Sequence, residues 1–153
     1  MVEVGTQKLQ ASSASIIAYY IINELAEMTD PSDKGDWPIY KSHLPDGDNI
    51  KTNAGAIYDT SGIQDMRSMN GKVPEHPGIQ IRIRSNNHDT AYTKIEDIAR
   101  ALDDVFNALI TIGTVDYEIQ NVSRTSPIVS LGVDEKRRFH FVINYILTIR
   151  VTN

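Results

Sequence analysis

Residues 76–109 read H-P-G-I-Q-I-R-I-R-S-N-N-H-D-T-A-Y-T-K-I-E-D-I-A-R-A-L-D-D-V-F-N-A-L. Ile79, Ile81 and Ile83 alternate with Gln80, Arg82 and Arg84, so the segment predicts a strand with one apolar and one polar face. Pro77 and Gly78 mark its start as a turn. From Ala91 the period changes. Ala91, Ile95, Ile98, Ala99, Leu102, Val105, Phe106 and Leu109 recur at steps of three and four, the stripe of an α-helix. Asp89 is the expected N-cap, because a short carboxylate accepts from the free N–H groups of a first turn. Gly113 is the expected C-terminal stop. A strand that hands over to a helix able to cover its apolar face is a folding unit on which the remaining elements can pack.

The chain has 153 residues, enough for one domain spanning 1–153. It has no cysteine, which excludes disulfides, thiolate metal sites and cysteine nucleophiles. Fifteen Lys and Arg stand against twenty Asp and Glu, a net charge of -5, which disfavours nucleic-acid binding. No apolar run approaches the ~20 residues of a membrane span. The opening M-V-E-V-G-T-Q-K lacks the basic and apolar regions of a signal peptide, so the expected compartment is a cytosol.

Residues 1–11 carry no pattern and are expected to form a loose arm. Ser12 or Ser13 can cap a helix from about Ala14 to Met28, ended by Thr29-Asp30-Pro31. Two long loops are expected, 29–53 and 61–76. The first contains a short extended piece from Trp37 to Leu44, which Pro38 confines to an edge. Ala54–Thr60 reads as a strand. Thr114–Arg124 alternates with a slip near Asn121. Ile128–Leu131 is a short strand ending at Gly132, and V-D-E-K-R-R is a turn. Phe139–Val151 is a long strand with Phe139, Phe141, Ile143, Tyr145, Leu147, Ile149 and Val151 on one face. The fold class is therefore α+β: a mostly antiparallel sheet of five or six strands with two main helices on one face.

Searches for chemistry return little. There is no phosphate-binding loop, dinucleotide fingerprint, nucleophile elbow or H-E-x-x-H. His43, His76, His88 and His140 are scattered. Asp46-Gly47-Asp48-Asn49 starts like a calcium loop and fails at Ile50 and Lys51. Glu96/Asp97 and Asp103/Asp104 fall on the solvent side of a helix. No catalytic, cofactor or metal residue is assigned. Two basic features stand out. Arg82 and Arg84 share the polar face of a rigid strand, where they can pair locally or meet carboxylates of a partner. Lys136, Arg137 and Arg138 crowd one turn, as a solvated tip or as a contact with a neighbour or with DNA.

A-I-Y-D-T-S-G at Ala56–Gly62, H-P-G-I-Q-I-R-I-R at His76–Arg84 and the helix opening T-A-Y-T-K-I-E-D-I carry a resemblance. So do S-P-I-V-S-L-G-V-D-E-K-R-R-F at Ser126–Phe139 and F-V-I-N-Y at Phe141–Tyr145. Together they resemble the tailed-bacteriophage minor capsid and tail-terminator family over roughly residues 14–151. The resemblance implies a structural role and no enzyme: a hexameric ring at the head-proximal end of the tail tube, assembled in the host bacterial cytoplasm. Such a ring stops tube growth and receives the head. The implied partners are further copies of the chain, the tail tube protein and a head–tail connector or neck protein. DNA is expected to pass through without specific binding, and no membrane is involved. The expected contact residues are Gln80, Arg82 and Arg84, the loop residues Met66, Arg67 and Met69, and Lys136, Arg137 and Arg138. Two other readings stand beside it: a head-side neck or connector protein, and a nucleic-acid-binding module using the arginines.

Overall fold

A computed structural model of the chain describes residues 11–33, 35–47, 50–64 and 75–152. The first helix, α1, spans Ser13–Tyr20, and Ser12 caps it by accepting the Ser15 N–H at 3.2 Å. It continues as one wide π turn over Ile21–Leu25 and stops at Ala26, which is left-handed at φ 53°. The expected end at Met28 is therefore too late. Pro31 instead opens a 3-10 turn, Pro31–Asp33.

Seven strands follow among the described residues: β1 (Ile39–Lys41), β2 (Ala54–Gln64), β3 (Glu75–Ser85), β4 (Phe106–Ile112), β5 (Val115–Arg124), β6 (Val129–Val133) and β7 (Phe139–Val151). The second helix, α2, spans His88–Asp103. The strands form one sheet in the order β1-β2-β3-β7-β5-β4, with β6 paired to β7 off that path. β1 lies parallel to β2 and the other pairings are antiparallel, so the sheet is mixed. Registers such as Ile57↔Ile81↔Ile143 stack isoleucines across three strands. The slip expected at Asn121 is a bulge between Ile119 and Asn121.

The count of five or six strands fails mainly at β4. The stripe Val105-Phe106-Leu109 keeps helical spacing, yet the chain leaves α2 at Asp103. Phe106 and Leu109 then lie on a strand paired to β5, 76% and 69% exposed. Gly113, at φ 64°, turns the β4–β5 hairpin and ends no helix. Asn87 is the N-cap of α2, accepting from the Thr90 N–H at 3.0 Å, while Asp89 sits inside the first turn. β6 runs through Gly132, which is left-handed at a bulge. β2 and β3 both reach into the expected 61–76 loop. They bulge between Thr60 and Ile63, where a Cβ on Gly62 would strike the His76 carbonyl and one on Gly78 would sit 2.6 Å from the Ser61 oxygen. Glycine is required there because two backbones touch.

One apolar cluster joins the elements. Ala14, Ile17 and Ile21 from the first helix and Ala91, Ile95, Ile98, Ala99 and Leu102 from α2 meet Ile57, Ile79, Ile81, Ile83, Ile143, Leu147 and Ile149 of the sheet. Asp59 fixes the approach of α1 by accepting the Ala14 N–H at 2.8 Å.

Candidate functional site

The polar face of β3 is where the sequence placed its contact residues, and the three of them have different surroundings. Gln80 is half-buried and donates to the Asn144 side chain of β7 at 3.1 Å. Arg82 is half-buried, with its guanidinium carbon 5.9 Å from the Tyr58 ring centroid. Arg84 is only 1% exposed. It donates to the carbonyl oxygens of Thr52 (3.1 Å), Pro45 (2.8 Å) and Lys51 (2.8 Å). Burial pulls its pKa down, and the nearby Arg138 adds to that. A guanidinium is never deprotonated in a protein, so the three carbonyls solvate a buried cation. The side chain faces outward from the sheet, as expected, but the segment formed by residues 42–47 and 50–53 folds over it. Within the subunit Arg84 is a pillar under that segment.

The same segment is tied from its other side. Asp46 accepts from Lys136 Nζ at 2.8 Å and from Arg138 Nη1 at 3.1 Å. Those bonds hold the Asp46 carboxyl below the usual range. Asp134 accepts from His140 Nε2 (2.9 Å), Arg138 Nε (2.8 Å) and the backbone N–H groups of Lys136 and Arg138. Burial pushes its pKa up, but this set of donors outweighs it and leaves the carboxyl well below the ordinary range. Of the basic turn, Arg138 and Lys136 are thus neutralised within the chain. Arg137 is exposed, sits at φ 61° and makes no side-chain hydrogen bond or ion pair among the described residues. Sequence reading could not see this clasp, since Asp46 and Arg138 are 92 positions apart. Met66, Arg67 and Met69 lie outside the described residues.

Elsewhere the described surface holds shallow clefts. Clefts of about 430 and 420 Å³ flank Trp37. Lys94 covers the Trp37 ring at 5.7 Å and reaches Glu27 at 3.3 Å. The four histidines are dispersed: His43 lies against the Lys41 carbonyl, His76 against Thr148, His88 against Asp89 and His140 against Asp134. No group of three His, Asp or Glu positioned for a metal occurs among the described residues. No helix among the described residues is long and apolar enough to cross a membrane.

A family model described as bacteriophage tail terminator protein matches residues 21–151. No curated protein sequence matches the chain. Among the solved structures that align with the chain, one does so over 95% of this chain and 98% of its own, with 12% identity and a TM-score of 0.46, a likeness too low to bear on function.

Proposed function

This chain belongs to the bacteriophage tail terminator family, and from that premise we propose that it is the ring subunit that caps the tail tube and joins it to the head. Membership makes it a structural component of the phage tail, one that associates with other tail and head proteins. The finer role is the proposal. Copies of the chain close into a hexameric ring, one face of the ring sits on the last layer of tube protein, and the other receives the neck or connector.

The observation that carries this reading is the clasped unit of residues 42–47 and 50–53 with the β6–β7 turn. Arg84 supports it from beneath, and Asp46 ties it to Lys136 and Arg138. A docking surface gains affinity when it is ordered before the partner arrives. Gln80, Arg82 and the turn residues Lys136, Arg137 and Arg138 are assigned to contacts on this side, with Arg84 acting from behind. The loop holding Met66, Arg67 and Met69 is assigned to the tube or the ring neighbour, since Met suits adaptable interfaces. Binding of DNA is disfavoured. The net charge is -5, and Lys136, Arg138 and Arg84 are already matched inside the chain. DNA passing through the ring would meet no strongly basic wall.

Electron microscopy of particles produced with the gene for this chain deleted tests the reading. A cap that stops polymerisation predicts tubes of broadly scattered length and heads without tails. Tails of normal, uniform length that join heads in its absence would overturn it.

A further inference from the structure

Residues 42–47 and 50–53 lie over Arg84, yet almost nothing apolar joins them to the body of the fold. They belong to no helix or strand, and none of their side chains is buried. Leu44 and Ile50 are neither part of the apolar core nor packed against it. The two ends are fixed. The Ser42 N–H donates to the Ile57 carbonyl at 2.8 Å, and Asn53 accepts from Ser85 Oγ at 2.7 Å. Ser42 is left-handed at φ 64°, a sharp bend where the chain leaves β1. Between these ends, the backbone bond found among the described residues runs from the Ile50 N–H to the Gly47 carbonyl and stays inside the segment. His43 contacts only the adjoining Tyr40 and Lys41. The bonds that reach across to the rest of the molecule come from charged side chains. Arg84 donates to three carbonyls, Asp46 accepts from Lys136 and Arg138, and Lys51 meets Asp36 at 3.2 Å. A segment with few buried apolar contacts and no shared ladder opens at a lower free energy than the sheet beneath it.

We propose that this segment is a charge-held cover that lifts about Ser42 and Asn53 while the sheet stays folded. Lifting frees the Arg84 guanidinium. Arg82 stands two positions away on the same face of β3, about 7 Å along the strand. It makes no hydrogen bond or ion pair among the described residues, only its contact with the Tyr58 ring. The cover therefore decides whether β3 offers one guanidinium or two. The lifting is a property of the single subunit and stands or falls independently of the ring.

The chain has no cysteine, so one introduced thiol reports the lifting. Ala54 stands opposite Arg84 in the β2–β3 register, shares its face and is 0% exposed. Ala99 is equally buried, in the apolar core between α2 and the sheet. In the full chain under native conditions, Ala54→Cys should react with a thiol reagent about a hundredfold faster than Ala99→Cys, because local opening is more populated than global unfolding. Adding Asp46→Asn should speed the reaction of Ala54→Cys about fivefold, the worth of two partly exposed ion pairs. A second reading leaves Ala54 in place: the initial rate of tryptic cleavage after Lys51 should rise by about the same factor in Asp46→Asn, since cleavage tracks the open population. Equal labelling of the two thiols would show that Ala54 is reached only by global unfolding and would overturn the cover. Labelling and cleavage rates that ignore Asp46→Asn would overturn its being held by charge.

Discussion

The Arg84 guanidinium donates to the Lys51 carbonyl oxygen at 2.8 Å, across 33 residues of sequence. Two further carbonyls, of Pro45 and Thr52, complete the ring of acceptors. Arg84→Met removes the donor and leaves those acceptors unpaired under the 42–53 segment. An expected loss of about 3 kcal/mol corresponds to roughly 10 °C in melting temperature for a domain of this size. Arg82→Met, which loses only a contact with the Tyr58 ring, should cost less than about 1 kcal/mol. Thermal melts of the two variants separate the roles. Equal melting temperatures would remove Arg84 from the support of that segment.

The two arginines also mark what sequence could and could not tell. Alternation placed Ile79, Ile81 and Ile83 inward and the arginines outward, and both placements hold. Nothing local could announce that a segment more than thirty residues upstream folds over one arginine and spares the other. β4 is different, because its signal was present and misread. Ile110 and Ile112 alternate toward Gly113, and Val115, Tyr117 and Ile119 alternate after it, which is a hairpin pattern. The accidental three-and-four spacing of Val105, Phe106 and Leu109 won over it. Asn87 over Asp89 as the cap is a two-residue shift at a boundary, where the polar run S-N-N-H-D offers several acceptors.

That cap is measurable. Asn87→Ala deletes the acceptor that binds the Thr90 N–H and should cost about 1 kcal/mol of stability. Asp89→Ala loses a favourable charge near the helix N-terminus and an exposed contact with His88 at 3.1 Å, together a few tenths of a kcal/mol at about physiological salt. Denaturant titration of both variants is sufficient. A larger loss for Asp89→Ala would return the cap to that residue.

Acid should loosen the clasp at the β6–β7 turn. Asp134 has its pKa held below the ordinary 3.8 by donors from His140, Arg138 and two backbone N–H groups, against the opposing effect of burial. Asp46 is shifted the same way. A carboxyl whose folded value lies below its unfolded one adds stability that is complete above the unfolded value. That stability drains away as pH falls toward the folded value. The melting temperature of the native chain should therefore fall as pH drops below 3.8. Asp134→Asn should melt lower at neutral pH and converge on the native chain in acid. Parallel curves at all pH values would show that the Asp134 charge contributes nothing to folding.

Leu102 and Leu109 belong to one apparent stripe in the sequence and to opposite environments in the fold. Leu102 is fully buried between α2 and the sheet, and Leu109 is 69% exposed on β4. Leu102→Asp, like Ile98→Asp, places an unpaired charge in the core and should cost several kcal/mol, enough to abolish soluble folding. Leu109→Asp should leave stability within about 0.5 kcal/mol, as for a surface substitution. The same variant removes exposed apolar area from β4, a strand paired on one side only among the described residues. It should therefore stay folded while associating more weakly with other copies. Circular dichroism and light scattering on one preparation read both effects. An unfolded Leu109→Asp chain would return that residue to the core, and a folded chain with unchanged association would take Leu109 out of the contact.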